Sequence, residues 1–135
     1  MSLSSAILTQ LNTSTALVAA VSGRMSPYVR NAATQEFPAV VFEINTTSIQ
    51  TDTIGLVEGC KSEATITALS RSYIEADSVA ADILTAMAGW TSSTDCVAIC
   101  APQSVDRDQE TPYDGSQDLV YRCSITFSID HGEAI

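Results

Sequence analysis

A 135-residue chain with a single histidine has few routes to chemistry, and His131 is the first to test. Nucleophilic catalysis of the Ser-His-Asp or Cys-His kind needs an imidazole held beside its nucleophile. His131 is the fifth residue from the C-terminal end, where side chains are commonly exposed. A solvent-facing histidine is therefore expected, and a catalytic base would require the chain end to fold back over a pocket. Cys96 and Cys100 invite a zinc reading. They fall on a stretch that reads as a strand, however, where four residues span about 13 Å, too far for both thiolates to reach one ion. Cys60 and Cys123 occupy inward positions of two other strands and read as small core residues. Asp106, Asp108, Glu110, Asp114 and Asp118 begin like an EF-hand calcium loop. The match fails at Thr111, where the turn glycine belongs, and at Gln117, where the bidentate glutamate belongs. A solvated acidic loop is expected instead.

No phosphate-cradling loop, dinucleotide-binding glycine cluster, zincin helix or nucleophile elbow is present in the sequence. Sixteen carboxylates could be paired in many ways, so no pair points to acid–base catalysis. The aromatic residues are too scattered for a base-stacking platform. Catalytic residues, cofactors and metal ligands are accordingly expected to be none. Sixteen acidic against six basic residues give a formal charge of -10, and the basic ones (Arg24, Arg30, Lys61, Arg71, Arg107 and Arg122) are spread along the chain. Without a basic stripe to displace counterions from phosphates, nucleic-acid binding is disfavoured, and so is adhesion to an anionic membrane. Met1 to Ser5 lacks the basic start and long apolar core of a signal peptide, and the aliphatic run Ala16 to Val21 is far too short to span a bilayer. Synthesis in a reducing cytoplasm, with the four cysteines as thiols, is the expectation.

The elements that would position any site follow from periodicity. Leu3, Ile7 and Leu11, with Ala6 and Leu8 beside them, predict a short amphipathic helix. Asn12 to Thr15 interrupts it, and Ala16 to Val21 resumes to a stop at Gly23. Residues 25–37 show no period and read as a loop between Pro27 and Pro38. Val40, Phe42 and Ile44 alternate with Val41, Glu43 and Asn45, predicting a strand over 39–50. Cys60, Ser62, Ala64, Ile66 and Ala68 predict a second, over 60–69. Residues 51–59 close a long antiparallel hairpin whose tip projects from the body. Ser72-Tyr73-Ile74-Glu75 fits a capping box, with Ser72 bonding the Glu75 N–H and the Glu75 carboxylate returning to Ser72. The helix it opens carries Ala76, Val79, Ala80, Ile83, Leu84 and Met87 to a stop at Gly89. Residues 95–101 predict a short strand halted by Pro102, 103–117 a long loop, and 119–130 the most regularly alternating strand of the chain.

One domain over residues 1–135 is expected, of α+β class: a mostly antiparallel four-stranded sheet with two helices packed on one face and a long projecting hairpin. Leu84 and Ile125 should both be buried.

In this order and spacing the chain resembles the tail-terminator, or tail-completion, family of long-tailed bacteriophages of siphovirus type. The resemblance is carried by the opening helix Leu3 to Leu11, the stretch Ala16 to Met25, and the segment Phe37-Pro38-Ala39-Val40-Val41-Phe42-Glu43-Ile44. The helix Tyr73 to Leu84 and the last strand, Asp118 to Ile129, complete it. It implies a structural virion protein of the tail and neck, assembled in the host cytoplasm. The ring it implies, usually of six copies, sits on the last ring of the tail tube, stops tube polymerisation and joins the tail to the head connector. Its partners would be further copies of itself, the tail-tube protein and a head-completion or connector protein, with DNA passing through the bore and no membrane involved. Another neck, head-closure or tube component shares the size and class, and a monomeric domain binding a small ligand is the rival of a different kind.

Two surfaces are singled out within that implied ring. Ile54, Leu56 and Val57 are too apolar for a free hairpin tip and are expected to meet a partner. Copies carrying -10 each repel unless the charge lies away from their contacts. Asp52, Glu58, Asp106, Asp108, Glu110, Asp114 and Asp118 are therefore the candidates for an acidic bore, with the outer rim as the alternative place.

Overall fold

Leu3, Ala6, Ile7 and Leu11 form the buried stripe of a first helix, α1 (Leu3–Asn12), in a computed structural model that describes residues 3–27, 37–51, 57–92, 97–110 and 120–132. The predicted interruption is real: Ser14 is the N-cap of α2 (Thr15–Val21), its hydroxyl accepting from the Leu17 N–H at 3.2 Å. Ser22 (φ 52°) and Gly23 (φ 73°) then turn the chain in the left-handed region, and the Gly23 N–H closes on the Val18 carbonyl. The chain enters β1 (Met25–Pro27), which runs parallel to β2 (Ala39–Thr51) at Val40 to Phe42. Three residues are too few to show a period. This edge strand therefore lay inside the expected loop, and the described residues form a sheet of five strands and three helices instead of four and two.

β3 (Val57–Ser70) pairs antiparallel with β2, and with β5 (Val120–His131) on its other side. β4 (Val97–Glu110) closes the order β1-β2-β3-β5-β4. On the covered face, Phe42, Ile66 and Ile125 stand in one row, and Ala64 beside Phe127 in the next. The small residues of β3 leave room there for the large ones of β5. The helices pack on this face and complete one buried cluster that includes Leu17, Val79, Ile83 and Met87.

α3 (Tyr73–Met87) starts at Ser72 as predicted, with the Ser72 hydroxyl accepting from the Glu75 N–H at 3.3 Å. The return half of the capping box is replaced. The Ser70 hydroxyl donates to Glu75 Oε1 (2.7 Å) and accepts the Ser72 N–H (3.0 Å), so Ser70 stands between the two. The buried stripe is Ala76, Val79, Ala80, Ile83 and Met87. Leu84, expected inside, is 36% exposed. At about 100° per residue it lies some 80° from the stripe's centre, on the flank of the helix. Ile125 is buried as expected.

The expected short strand ending at Pro102 continues instead to Glu110, so residues 103–110 belong to β4 and not to a loop. Cys100 explains why proline is tolerated. Its N–H bonds the Trp90 carbonyl and its C=O accepts the Gly89 N–H, both away from β5. By strand alternation Pro102 faces the same outer edge, so its missing N–H costs no bond to β5. A register shift between Pro102 and Ser104 follows. This edge is closed along much of its length: Ser92 and Val97 exchange two bonds, and the outward Gln109 N–H is taken by Asp108 Oδ1 at 2.7 Å. Such masking discourages adventitious strand pairing.

Candidate assembly surfaces

His131 is buried, against the expectation of an exposed chain end. It stands beside Cys60 on the inner face, its Nε2 2.7 Å from Ser62 Oγ and its Nδ1 3.0 Å from the Gly132 carbonyl. That carbonyl can only accept, so Nδ1 carries a proton; with the ring neutral, Nε2 accepts from Ser62, whose oxygen lies 3.1 Å from Thr46 Oγ1. A hydroxyl beside an imidazole resembles a nucleophile and its base. Here the third position is a backbone carbonyl instead of a carboxylate, and Ser62 is fully buried, so the cluster ties β2, β3 and β5 together.

Cys60, Cys100 and Cys123 are buried thiols, and the described residues contain no cluster of His, Cys, Asp and Glu able to hold a metal. Cys96 lies outside the described residues. Burial pushes the Cys100 thiol up to about 12 and raises Cys123 as well. At pH 8 a thiol with that value is about one part in ten thousand thiolate, the reactive form. Iodoacetamide at pH 8 should leave Cys100 and Cys123 unmodified in the folded protein and alkylate both in denaturant, as read by peptide mass mapping. Rapid native labelling of either would contradict the packing described.

Among the described residues, no helix lies on the other face of the sheet. Thr65 and Thr126 Oγ1 atoms approach to 3.4 Å across β3 and β5, and Thr67 Oγ1 lies 2.9 Å from Ser124 Oγ. By register, Glu43, Glu63, Asp106, Asp108 and Asp130 share this open face with Lys61 and Arg122. Both cations are paired. Arg122 Nη2 donates to Asp108 Oδ2 at 2.7 Å, and Lys61 Nζ lies 3.9 Å from Asp130 Oδ1. The Gln109 N–H and then Arg122 hold the Asp108 carboxyl below its ordinary range. Arg107 belongs to the opposite, helix-covered face. Its Nε donates to Asp77 Oδ1 of α3 at 3.0 Å, and this bond raises its already high pKa.

Asp106 and Asp108 are thus exposed on β4, and Glu110 ends that strand opposite Val120. Val57 and Glu58 open β3, so the strands of the hairpin run further toward its tip than expected. Asp52, Ile54, Leu56, Asp114 and Asp118 lie outside the described residues. Periodicity missed Val105, 47% exposed on β4, and the exposed Tyr73 and Ile74 at the start of α3. Tyr73 packs edge-on against Tyr121 with ring centroids 5.9 Å apart. No helix among the described residues is long and apolar enough to cross a membrane.

No family model matches the sequence, and no curated protein matches it. Its fold is shared with a solved structure. A chain of the virion of a native gene transfer agent particle superposes with a TM-score of 0.75 at 16% identity, covering 97% of this chain and 95% of that one. At such low identity the likeness is one of fold.

Proposed function

We propose that this chain is a structural protein of a phage-like virion and, within that class, a tail terminator. Copies of it, six in the family it resembles, form a ring on the head-proximal end of the tail tube and join the tail to the head connector. One observation carries this reading: the fold is shared over nearly the whole length of both chains with a component of a gene transfer agent virion. The buried Ser62–His131 pair, closed to substrate, fits a protein that performs no chemistry.

Two features of the ring follow. The segment between β2 and β3 that carries Ile54, Leu56 and Val57 is an assembly arm, because three apolar side chains within four residues of a connection favour contact with a partner over water. Ile54→Asp with Leu56→Asp should leave the protein folded by circular dichroism and abolish tail completion in a complementation assay. Normal completion would show that this segment is not an assembly arm. The open sheet face, with Asp106 and Asp108, lines the bore, and Asp52, Glu58, Glu110, Asp114 and Asp118 add to it. Like-charged walls let DNA pass where basic walls would trap it. Lysine at Asp106, Asp108 and Glu110 together should slow DNA ejection from assembled particles, whereas ejection at the normal rate would put these acids on the outer rim.

A further inference from the structure

Two copies of a chain carrying -10 can touch only where charge is absent or already paired, because opposed like charges at an interface are costly. The helix layer offers two such surfaces. Residues 1–23 contain no ionisable side chain, so the outward face of α2, with Ala16, Ala19 and Ala20 exposed, is flat and neutral. The second surface lies at the far edge of the sheet, where α3 flanks β4. There the Asp77–Arg107 bond fixes that flank of the helix over the strand and neutralises both charges. Leu84 follows Asp77 by two turns, about 10 Å along the axis. β4 runs the opposite way beneath it, since Gly89 just past the helix bonds Cys100. Val105 therefore falls beside the path from Asp77 to Leu84. Tyr73 and Ile74 extend the strip toward the start of the helix, and Glu75 and Asp82 lie on the opposite flank by helical angle. Of the exposed large apolar side chains among the described residues, only Ile99, on the open sheet face, lies outside this strip.

We propose that the strip of Leu84, Val105, Tyr73 and Ile74 docks the neutral α1–α2 surface of a second copy of this chain, head to tail. α1 reaches β1, while α3, seated mainly over β3 and β5, reaches β4 along its Asp77 flank, so the two patches look toward opposite edges of the sheet. Those edges are about 19 Å apart at ordinary strand spacing. A contact joining unlike patches at opposite edges is heterologous, and repetition of it closes a ring if the rotation permits or otherwise extends as a filament. The closed outcome rests on the ring reading above, and the contact itself does not. Projecting side chains on one edge meet alanines on the other, which lets the backbones approach without burying an unpaired charge.

Mixing two single variants tests this directly. Leu84→Asp spoils the head and Ala19→Asp spoils the tail, each at an exposed position that leaves the core intact. Val105→Asp replaces Leu84→Asp should the latter lose its helical circular dichroism. In sedimentation velocity the wild type should associate with rising concentration and each variant should remain monomeric. An equimolar mixture should form dimers and nothing larger, since one intact head meets one intact tail. Variants that associate like the wild type, a mixture that stays monomeric, or a wild type monomeric at every concentration would each overturn the contact. Wild-type assemblies that require these residues but grow as open chains would retain the contact and remove the ring.

Discussion

Ile125→Asp is expected to leave no folded, soluble protein, while Leu84→Asp leaves the monomer folded. Ile125 is 1% exposed in the centre of the covered face, opposite Ile66 on one side and Val105 on the other. A carboxylate there has no cationic partner in its row and must either stay ionised in apolar surroundings or take up a proton. The effective penalty is several kcal/mol for a buried unpaired ion, on top of about 2 kcal/mol or more of lost apolar burial. A domain of this size has about 5–15 kcal/mol in total. Leu84 already meets water on the helix flank, and a carboxylate can stay hydrated there. Soluble yield and far-UV circular dichroism check the pair. A well-folded Ile125→Asp would mean that β5 faces the other way.

Phe127→Ala should lower the unfolding free energy by about 3–5 kcal/mol, the usual range for emptying a phenylalanine site. The high end applies here. Its ring is fully buried, and its neighbours in the row are Ala64 of β3 and Pro102 of β4, which are too short or too fixed to collapse into the space. Urea unfolding followed by fluorescence of Trp90, which is itself in the core, measures the change. A loss below about 1 kcal/mol would mean that the space is filled from elsewhere, contrary to the packing of large β5 residues over small β3 ones.

What could be read from the sequence was whatever has one wet side and one dry side. α3, β2, β3 and β5 lie over or under the core, so their side chains alternate in burial and the pattern shows in the residues. β4 beyond Pro102 lies at the sheet edge and is wet on both faces. Gln103 to Glu110 therefore carry no apolar period, and pairing with β5 alone makes them a strand. The sequence therefore suggests a loop for Asp106 and Asp108, whereas they stand on the edge strand. His131 was legible in a way periodicity allowed: it continues the inward series Ile125, Phe127 and Ile129 at the next alternate position. Its polarity hid it, because its partner Ser62 is 69 residues away in sequence and invisible until β3 and β5 pair. Assembly surfaces leave the weakest trace. Tyr73, Ile74, Leu84 and Val105 are ordinary residues until their exposure at one edge of the fold is seen.

Electron microscopy of the purified protein, alone and mixed with tail tubes, tests whether this chain caps the tail tube as a ring. Annular particles are expected at one end of each tube, with tubes so capped no longer elongating when tube protein is added. Tubes that stay bare and continue to grow, or that are coated along their length, would contradict the capping role.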